Sequence, residues 1–433
     1  MESATFSQIL KNRGFLNLWI NQILVQLSFN ALNFTLIFWV FKLTNSITAV
    51  SALMFSIYLP AVILGLFTGI LVDLMDKKKI IMIIDIFLAL SFFSLIFLKD
   101  YYIAVLLVAF FVNSLGQFYA PTEASAIPLI SKRKELLSAN SIFSATLYTT
   151  FLLGFGLSGL LIASFGVDFI FKTGGVLLFL AYLLSFMFPQ IVVKPDKMGK
   201  ELILSILKKD YLAIKNIGFF EILKTLRLIK GKLTVLSAIL ILAGVQMVVG
   251  ILAVLMSAFL ERVLHTKATD ASFILIMPLG LGIVIGGLII GKIGYRFVRR
   301  VLVSKAILLS GLLFILMGII PLSRVLFIGA FLLGLCLVAI LVPTQTVLQE
   351  NTPDQDRGKV FAVLGVAMSL VSLIPVLLAG ALADIFGVIP IFIGFGIVTS
   401  AIGIFGLNPS LFFKESALPY NIREFLGLGH WRR

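Results

Sequence analysis

Twelve long apolar stretches divide the chain, and they restrict its fold more than any other feature of the sequence. They cover 15–41, 48–72, 80–98, 101–129, 138–164, 168–190, 233–260, 271–291, 301–320, 323–348, 360–383 and 387–407. About 20 apolar residues suffice to cross the hydrocarbon core of a bilayer, and the backbone there must be helical because unpaired amides in lipid cost several kcal/mol. The sequence therefore predicts an all-α integral membrane protein with twelve transmembrane helices.

The composition leaves no room for a sizeable soluble domain. Of the 433 residues, 60% are hydrophobic and 13% are charged. A soluble protein has about a quarter of its residues charged, which is what keeps its surface in water. We therefore expect the chain to lie almost wholly in the bilayer.

The basic residues are distributed unequally between the two sides of the predicted spans. Counted on alternate sides, 29 of the 35 Lys and Arg residues lie on the side of the N-terminus. Because cytoplasmic loops are enriched in Lys and Arg, both termini are expected in the cytoplasm, in a multi-pass protein of the plasma (inner) membrane. The net charge of +15 is thus a topology signal, and no nucleic-acid partner is expected.

One long hydrophilic stretch, 191–232, separates six predicted spans from six others. Within it, 201–230 mixes Leu, Ile and Phe with many Lys residues, which is typical of a basic amphipathic helix on the cytoplasmic leaflet. The predicted organisation is an N-terminal six-helix bundle over 1–190, this linker, a C-terminal six-helix bundle over 233–408 and a cytoplasmic tail over 409–433.

Two short patterns recur at nearly the same distance along the chain. Offsets of 222 and 221 residues relate Pro121-Thr122-Glu123 to Pro343-Thr344-Gln345, and Gly159, Phe165 and Gly166 to Gly380, Phe386 and Gly387. Repeated halves of this kind are the parallel repeats found in some transporters. The two bundles are therefore predicted to be duplicates.

The loop after the second span resembles the signature loop of the major facilitator superfamily. It contains Gly69, Asp73 and the basic cluster Lys77, Lys78 and Lys79. A weaker copy follows the eighth span, with Gly287, Gly291, Gly294, Arg299 and Arg300. The resemblance implies the major facilitator fold, a central cavity between two bundles, and a cytoplasmic gate formed by Asp73, the basic cluster and Arg357.

Four further segments, 121–128, 136–140, 357–361 and 380–387, resemble the branch of that superfamily containing macrolide-efflux proteins and the enterobactin exporter. The resemblance implies export but does not indicate the substrate. Two features depart from the family pattern. Leu74 stands where the signature loop has a basic residue, and no Asp or Glu lies between Glu2 and Asp73, so proton coupling through the first span is not expected.

Two acidic residues lie inside apolar spans. Glu123 precedes Lys132 by nine residues, which places it about 13 Å up the helix from that charge. An ionisable group at such a depth is costly, and it typically marks a proton relay or a ligand site. Asp85, six residues past Lys79, is shallower, and its carboxylate could reach the interface. Both are candidates for proton coupling, with a structural pairing to a neighbouring span as the alternative.

The first span carries a stripe of four amides, Gln22, Gln26, Asn30 and Asn33, within an arc of about 80°. Amides facing lipid would be expensive, so the stripe must face protein or a water-filled cavity. It is predicted to contact the substrate, with hydrogen bonding between helices as the competing interpretation. Weaker candidates of the same kind are Asn113, Gln117, Gln246, Gln345 and Gln349.

Gly154, Gly156 and Gly159 have the spacing G-x-G-x-x-G, but they lie inside an apolar span without a preceding strand. Close helix packing is therefore favoured over a dinucleotide site, as it is for Gly282, Gly286, Gly287 and Gly291. The sequence contains no metal-ligand spacing, catalytic constellation or Walker motif, so neither a cofactor nor an enzymatic activity is expected.

Two functions remain open from the sequence. The first is a proton-coupled exporter of an amphiphilic small molecule such as a drug, a macrolide or a siderophore-like compound, working as a monomer by alternating access. The second is a lipid or lysolipid flippase of the same fold, which the apolar composition also allows. An enzyme with its active site in the membrane is disfavoured because no catalytic His or acidic cluster is present.

Overall fold

The computed structural model describes residues 10–131, 136–189, 232–293, 298–352 and 357–407. Within these ranges the chain forms twelve α-helices, and the predicted linker helix and cytoplasmic tail lie outside them. The helices are α1 (Arg13–Thr44), α2 (Ile47–Leu74), α3 (Lys77–Leu98), α4 (Tyr102–Ile130), α5 (Leu136–Phe165), α6 (Val167–Ser185), α7 (Leu233–Ala258), α8 (Met277–Ile293), α9 (Arg299–Ile319), α10 (Ser323–Glu350), α11 (Arg357–Phe386) and α12 (Val388–Leu407).

Each predicted span overlaps one of these helices, and the all-α membrane fold is confirmed. Of the described helices, 11 are long and apolar enough to cross a bilayer, and α5 contributes a shorter apolar stretch at Thr149–Phe165. The α7 span continues into a π-helical turn at Phe259–Val263, and another at Ser272–Ile276 precedes α8.

The sequence repeat has a structural counterpart in α4 and α10. Pro121 and Pro343 both lie inside their helices. The residue after each proline, Thr122 or Thr344, is fully buried, and its hydroxyl donates to the carbonyl four residues earlier at 2.6 Å. Equivalent positions therefore have equivalent local structure in the two repeats.

The second recurring pattern, which contains Gly166 and Gly387, lies where consecutive helices meet. Gly166, between α5 and α6, has a φ of 78°, and Gly387, between α11 and α12, has a φ of 88°. Each amide donates to a carbonyl four residues earlier, Ile162 at 2.8 Å and Ala383 at 3.0 Å. A left-handed residue in this position is a common helix end that favours glycine, so both glycines close one helix and start the next.

The chain divides into two compact units. Unit 1 comprises Met1–Leu43 and Ser56–Ile222, and unit 2 comprises Thr44–Phe55 and Leu223–Arg433. The described part of unit 1 thus contains α1 up to Leu43, most of α2 and α3 to α6. Unit 2 contains the first residues of α2 and α7 to α12.

Glycines let helices approach closely within both units. A Cβ added to Gly154 of α5 would lie 2.6 Å from Cβ of Asn30 in α1, and one added to Gly282 of α8 would lie 2.1 Å from a carbonyl oxygen of α10. Close packing is thereby confirmed for these two. It is wrong for Gly156 and Gly287, where an added Cβ meets no described atom within 4 Å, because both point to other sides of their helices.

Candidate functional site

Two buried carboxylates lie at similar depth in unit 1. The residue-level exposure is 0% for Asp85 and 7% for Glu123. Asp85 is eight residues from the start of α3, and Glu123 is seven residues from the end of α4. These helix ends belong to the same predicted side of the membrane, and the acids lie about 12 and 10 Å from them.

The prediction that Asp85 reaches the interface is wrong. Its Oδ2 accepts a hydrogen bond of 2.7 Å from Nδ2 of Asn21 in α1, and the same amide donates to the carbonyl of Ala181 in α6 at 3.1 Å. The carboxylate is therefore held among three helices instead of extending towards water.

Tyr119 connects the two acids. Its hydroxyl donates to Oδ1 of Asn21 at 2.8 Å, and it also neighbours the Glu123 carboxylate one turn further along α4. A phenol has one proton to donate, so only one of these two acceptors can receive it at a time. Asn21 and Tyr119 were missed in the sequence, although the spacing of four residues between Tyr119 and Glu123 indicates a shared helix face.

Gln22 is the member of the predicted amide stripe that contacts an acid. It is 3% exposed, and its Nε2 donates to Oε2 of Glu123 at 3.5 Å and to the carbonyl of Phe143 at 3.3 Å. Asn21, Gln22, Asp85, Tyr119 and Glu123 together are called the acid cluster below.

The acid cluster contains more acceptors than donors. Asp85 Oδ1, Glu123 Oε1 and Gln22 Oε1 are buried and have no hydrogen-bond partner in the described part of the chain. Three ion pairs occur in the described part of the chain, and none includes Asp85 or Glu123. They are Lys99–Asp168, Arg262–Asp384 and Arg299–Glu350. A proton bound to the cluster would supply the kind of donor that it lacks.

The remaining amides of the α1 stripe have varied environments. Asn30 is 8% exposed and packs against Gly154, whereas Gln26 and Asn33 are half-buried. Oδ1 of Asn33 has no described partner. Gln26 and Asn33 are therefore the stripe residues that are partly exposed at the surface of the described structure.

The weaker amide candidates lie on other helices. Asn113 is buried, and its Nδ2 donates to the carbonyl of Ala109 in its own helix at 2.9 Å. Gln117, Gln246 and Gln345 are half-buried. The side chain of Gln349 lies outside the described residues.

Two lysines of the predicted gate bind backbone carbonyls. Nζ of Lys77, which is fully buried, donates to the carbonyls of Val72 and Met75 at the end of α2. Nζ of Lys78 donates to two carbonyls just past α6, at 2.7 and 2.8 Å, and thus ties the start of α3 to the end of α6.

The other gate residues are less informative. Lys79 is exposed. The side chains of Asp73 and Arg357 lie outside the described residues, so their predicted contact remains a prediction.

A carboxylate that sequence reasoning missed lies near the end of α11. Asp384 accepts hydrogen bonds from Ser46 Oγ at 3.0 Å, from the amides of Ile47 and Thr48 at 3.1 and 2.8 Å, and from Thr48 Oγ1 at 2.9 Å. Nη1 of Arg262 adds an ion pair at 3.1 Å. All of these residues belong to unit 2, and they are called the Asp384 anchor below.

The backbone around this anchor explains its shape. Asn45 has a φ of 49°, and its carbonyl accepts from Nη2 of Arg262 at 2.5 Å. Asn is one of the few non-glycine residues that tolerate the left-handed region, so it can end α1 and redirect the chain into α2. The carboxylate of Asp384 therefore lies at the N-terminus of α2, where free amides and the helix dipole favour an anion.

Known proteins with similar sequences are transporters. The sequence profile of the Major Facilitator Superfamily matches residues 18–246 and 236–427. Macrolide efflux protein A of Streptococcus pyogenes is 24% identical over 387 residues, covering 86% of this chain and 90% of that protein. Multidrug efflux pump Tap of Mycolicibacterium fortuitum is 24% identical over 369 residues, covering 80% and 83%.

Solved structures agree with the fold. The crystal structure of an auto-inhibited POT family peptide transporter has a TM-score of 0.71 and 13% sequence identity, covering 96% of this chain and 100% of that chain. At this identity the likeness supports the fold alone.

Proposed function

Because the chain belongs to the major facilitator superfamily and is a multi-pass membrane transporter, we propose that it exports an amphiphilic small molecule in exchange for protons. The family and the similar proteins indicate a transporter and not an enzyme. The observation that carries the proposal is the acid cluster, in which two buried carboxylates have no basic partner among the described residues.

An ionised carboxylate without a cationic partner is expensive in a medium of low polarity, because the lost hydration is not replaced. Binding a proton removes that charge and adds a hydrogen-bond donor beside the unpaired oxygens of Glu123 and Gln22. We assign Glu123 and Asp85 as the proton-binding residues.

Coupling requires that proton binding and substrate binding shift the same equilibrium between access states. A substrate bound near the cluster, or a change in its access to water, would alter the cost of keeping Glu123 protonated. Each ligand then shifts the equilibrium between access states by its differential affinity for them. Asn21 and Tyr119 would transmit the protonation of one acid to the other. Asn21 donates to Asp85 and accepts from Tyr119, which neighbours Glu123.

The relatives support the proposed export and substrate class, since two of them are named as efflux proteins for macrolides or several drugs. Amphiphilic cargo needs an apolar wall with a few polar contacts. Gln26 and Asn33 are the proposed polar contacts in unit 1, and Gln117, Gln246 and Gln345 are weaker ones.

The orientation and the gate complete the proposal. The distribution of Lys and Arg supports the proposal that both termini lie in the cytoplasm. Lys77 and Lys78 donate hydrogen bonds to backbone carbonyls and thereby stabilise the corner between α2 and α3. In the proposed cycle Asp73 in unit 1 and Arg357 in unit 2 are gate residues on the cytoplasmic side.

The test uses proteoliposomes or everted vesicles with an imposed pH gradient. Lipophilic drugs, macrolides, siderophores and lysolipids are added one at a time, and gradient dissipation identifies the cargo class. Glu123→Gln should abolish the response, whereas the exposed control Asp100→Asn should retain it. An unchanged response in Glu123→Gln contradicts the assignment. No response to any compound in folded protein, together with translocation of labelled lipid, would favour a flippase instead.

A further inference from the structure

Unit 2 contains a cavity whose described lining includes no residue of the acid cluster. Its volume is about 320 Å³, and residues of α7, α9, α10 and α12 line it. An apolar cavity of about 150 Å³ in an engineered protein binds one benzene ring. The cavity of unit 2 therefore has room for a molecule of about two rings.

The wall of this cavity consists mainly of Leu, Ile, Val, Met and Phe side chains. Three hydroxyl groups in it, on Ser237, Ser310 and Thr399, each donate to a carbonyl of their own helix, at 2.9, 2.8 and 2.9 Å. Since these donors are already satisfied, most of the wall suits an apolar molecule better than a polar one.

Ser304 of α9 differs from the other hydroxyl residues of the wall. It is 5% exposed, and its hydroxyl makes no hydrogen bond within the described residues. This hydroxyl faces Gly406 of α12, which also lines the cavity, because a Cβ added to that glycine would clash with Oγ of Ser304. A buried hydroxyl without a partner is unfavourable, so a ligand with one hydrogen-bonding group is favoured at this position.

Further along α9, the cavity is lined by an aromatic ring. Phe314 lies ten residues after Ser304, which corresponds to about 15 Å along the helix. Its ring packs edge to face against Phe392 and Phe395 of α12, with centroids 5.5 and 5.4 Å apart, and this packing fixes its orientation. Because aromatic rings pair favourably in offset or edge-to-face geometry, this part of the cavity suits an aromatic body.

The chemistry of the wall favours an uncharged ligand. Arg300 also lines the cavity, but its Nε already donates to the carbonyl of Gly406 at 3.1 Å. A charged group among the apolar side chains would lose hydration that the wall does not replace. A neutral molecule with one polar group avoids this cost and still binds Ser304.

We propose that this cavity binds an uncharged aromatic molecule of about two rings, with one hydrogen-bonding group at Ser304 and its rings along α9 towards Phe314. The inference concerns binding to unit 2 and does not depend on proton coupling. A failed binding test would leave the assignment of the acid cluster unchanged, and a failed coupling test would leave this binding site unchanged.

The experiment uses the purified full chain in detergent and tritiated 4-hydroxybiphenyl, with binding measured by scintillation proximity. Saturable binding of about one molecule per chain is expected. Two competitors test the chemistry of the ligand: biphenyl lacks the hydroxyl, and biphenyl-4-carboxylate carries a negative charge. The carboxylate should compete more weakly than unlabelled 4-hydroxybiphenyl, because its charge would be buried in an apolar wall. The absence of saturable binding, or stronger competition by the carboxylate, overturns the proposal.

Ser304→Ala tests the hydrogen bond. The ratio of the affinities for 4-hydroxybiphenyl and biphenyl should fall about two- to tenfold in this variant, because only the hydroxylated ligand loses a partner. Using the ratio cancels the partition of both compounds into detergent. Ser310→Ala is the matched control, since Ser310 lines the same cavity but its hydroxyl already donates to the carbonyl of Ala306. An unchanged ratio in Ser304→Ala, or an equal fall in both variants, contradicts the assignment of Ser304.

A second variant tests the space. Gly244 of α7 lines the cavity, and a Cβ added there meets no described atom within 4 Å, so the side chain in Gly244→Leu has room to extend into the cavity. This variant should abolish binding of both 4-hydroxybiphenyl and biphenyl. The control Gly287→Leu on α8, where an added Cβ also meets no described atom within 4 Å, should retain it, because Gly287 is not among the described lining residues. Thermal unfolding of both variants checks that they are folded, and binding that persists in folded Gly244→Leu contradicts the location of the site.

Discussion

The two units hold carboxylates in opposite ways. In unit 2, Asp384 accepts from backbone amides, hydroxyls and the guanidinium of Arg262, and 24% of its side chain is exposed. In unit 1, Asp85 and Glu123 are buried, are contacted by amides and a phenol, and each keep one oxygen without a described partner. The first site is satisfied as an anion, and the second is not.

This difference is the basis on which we interpret Asp384 as a structural acid and propose Asp85 and Glu123 as proton-binding acids. Charge-assisted hydrogen bonds and a helix N-terminus stabilise the ionised form of a carboxylate, so the Asp384 anchor has little reason to change its charge. A buried carboxylate without a cation is stabilised by losing its charge, so the acid cluster is the proposed site of proton binding.

The largest expected effect is the loss of coupling in Glu123→Gln. The amide keeps the shape of the side chain but cannot exchange a proton, so gradient-driven transport should fall to background. Cargo exchange without a gradient should persist, because only the proton step is lost. Transport measured with and without a pH gradient checks this, and Asp85→Asn should show the same pattern. A Glu123→Gln variant that still accumulates cargo against its gradient would contradict the assignment of Glu123 as a proton-binding residue.

Asn21→Ala should reduce the free energy of unfolding by about 1–3 kcal/mol, because it removes the amide that donates a hydrogen bond to the buried Asp85 carboxylate. Denaturant titration in micelles measures this. The matched control is Asn113→Ala, whose amide bonds only its own helix in the described structure and should cost less. If Asn21→Ala costs as much in an Asp85→Leu background as in the wild type, the two residues are not coupled.

Asp384→Asn should cost about 1 kcal/mol of stability, because the anchor loses its anion at the α2 N-terminus and its pair with Arg262. Proton coupling should remain intact, which sharpens the contrast with Glu123→Gln. Thermal unfolding and gradient-driven transport are measured on the same preparation. Loss of coupling in Asp384→Asn would mean that the wrong carboxylate has been assigned.

Tyr119→Phe should have the smallest effect. It removes one hydrogen bond to Asn21 and should cost about 0.5–1.5 kcal/mol while the acids remain in place. The pH dependence of transport should shift without loss of the maximal rate, because one donor to the cluster is gone. An unaltered pH profile would exclude Tyr119 from the link between the acids.

Much of the fold could be predicted from the sequence because lipid leaves a chain few choices. Apolar length fixed the helices, and Pro121 and Gly166 with their repeats in α10 and α11–α12 identified the duplication. Local chemistry was enough in these cases, since a proline, a left-handed glycine or a long apolar stretch carries its own structural consequence.

The site was only half predictable. Glu123 could be found from its depth, but its neighbours depend on the rotation of α1, a helix that carries several amides besides Asn21 and Gln22. Asp85 was expected near the interface because it lies six residues past Lys79, and its partner Asn21, 64 residues away, could not be identified from the sequence. The Asp384 anchor was missed for the same reason, since Arg262 is 122 residues away from it.

The most direct test of the account is a count of protons exchanged when cargo binds. Purified protein in weak buffer is mixed with the compound that dissipates the gradient in vesicles, and the pH change is recorded. Proton release is expected from the wild type and from Asp384→Asn, and none from Glu123→Gln. Equal release from Glu123→Gln and the wild type, or its loss in Asp384→Asn, would contradict the assignment of the acid cluster as the proton site.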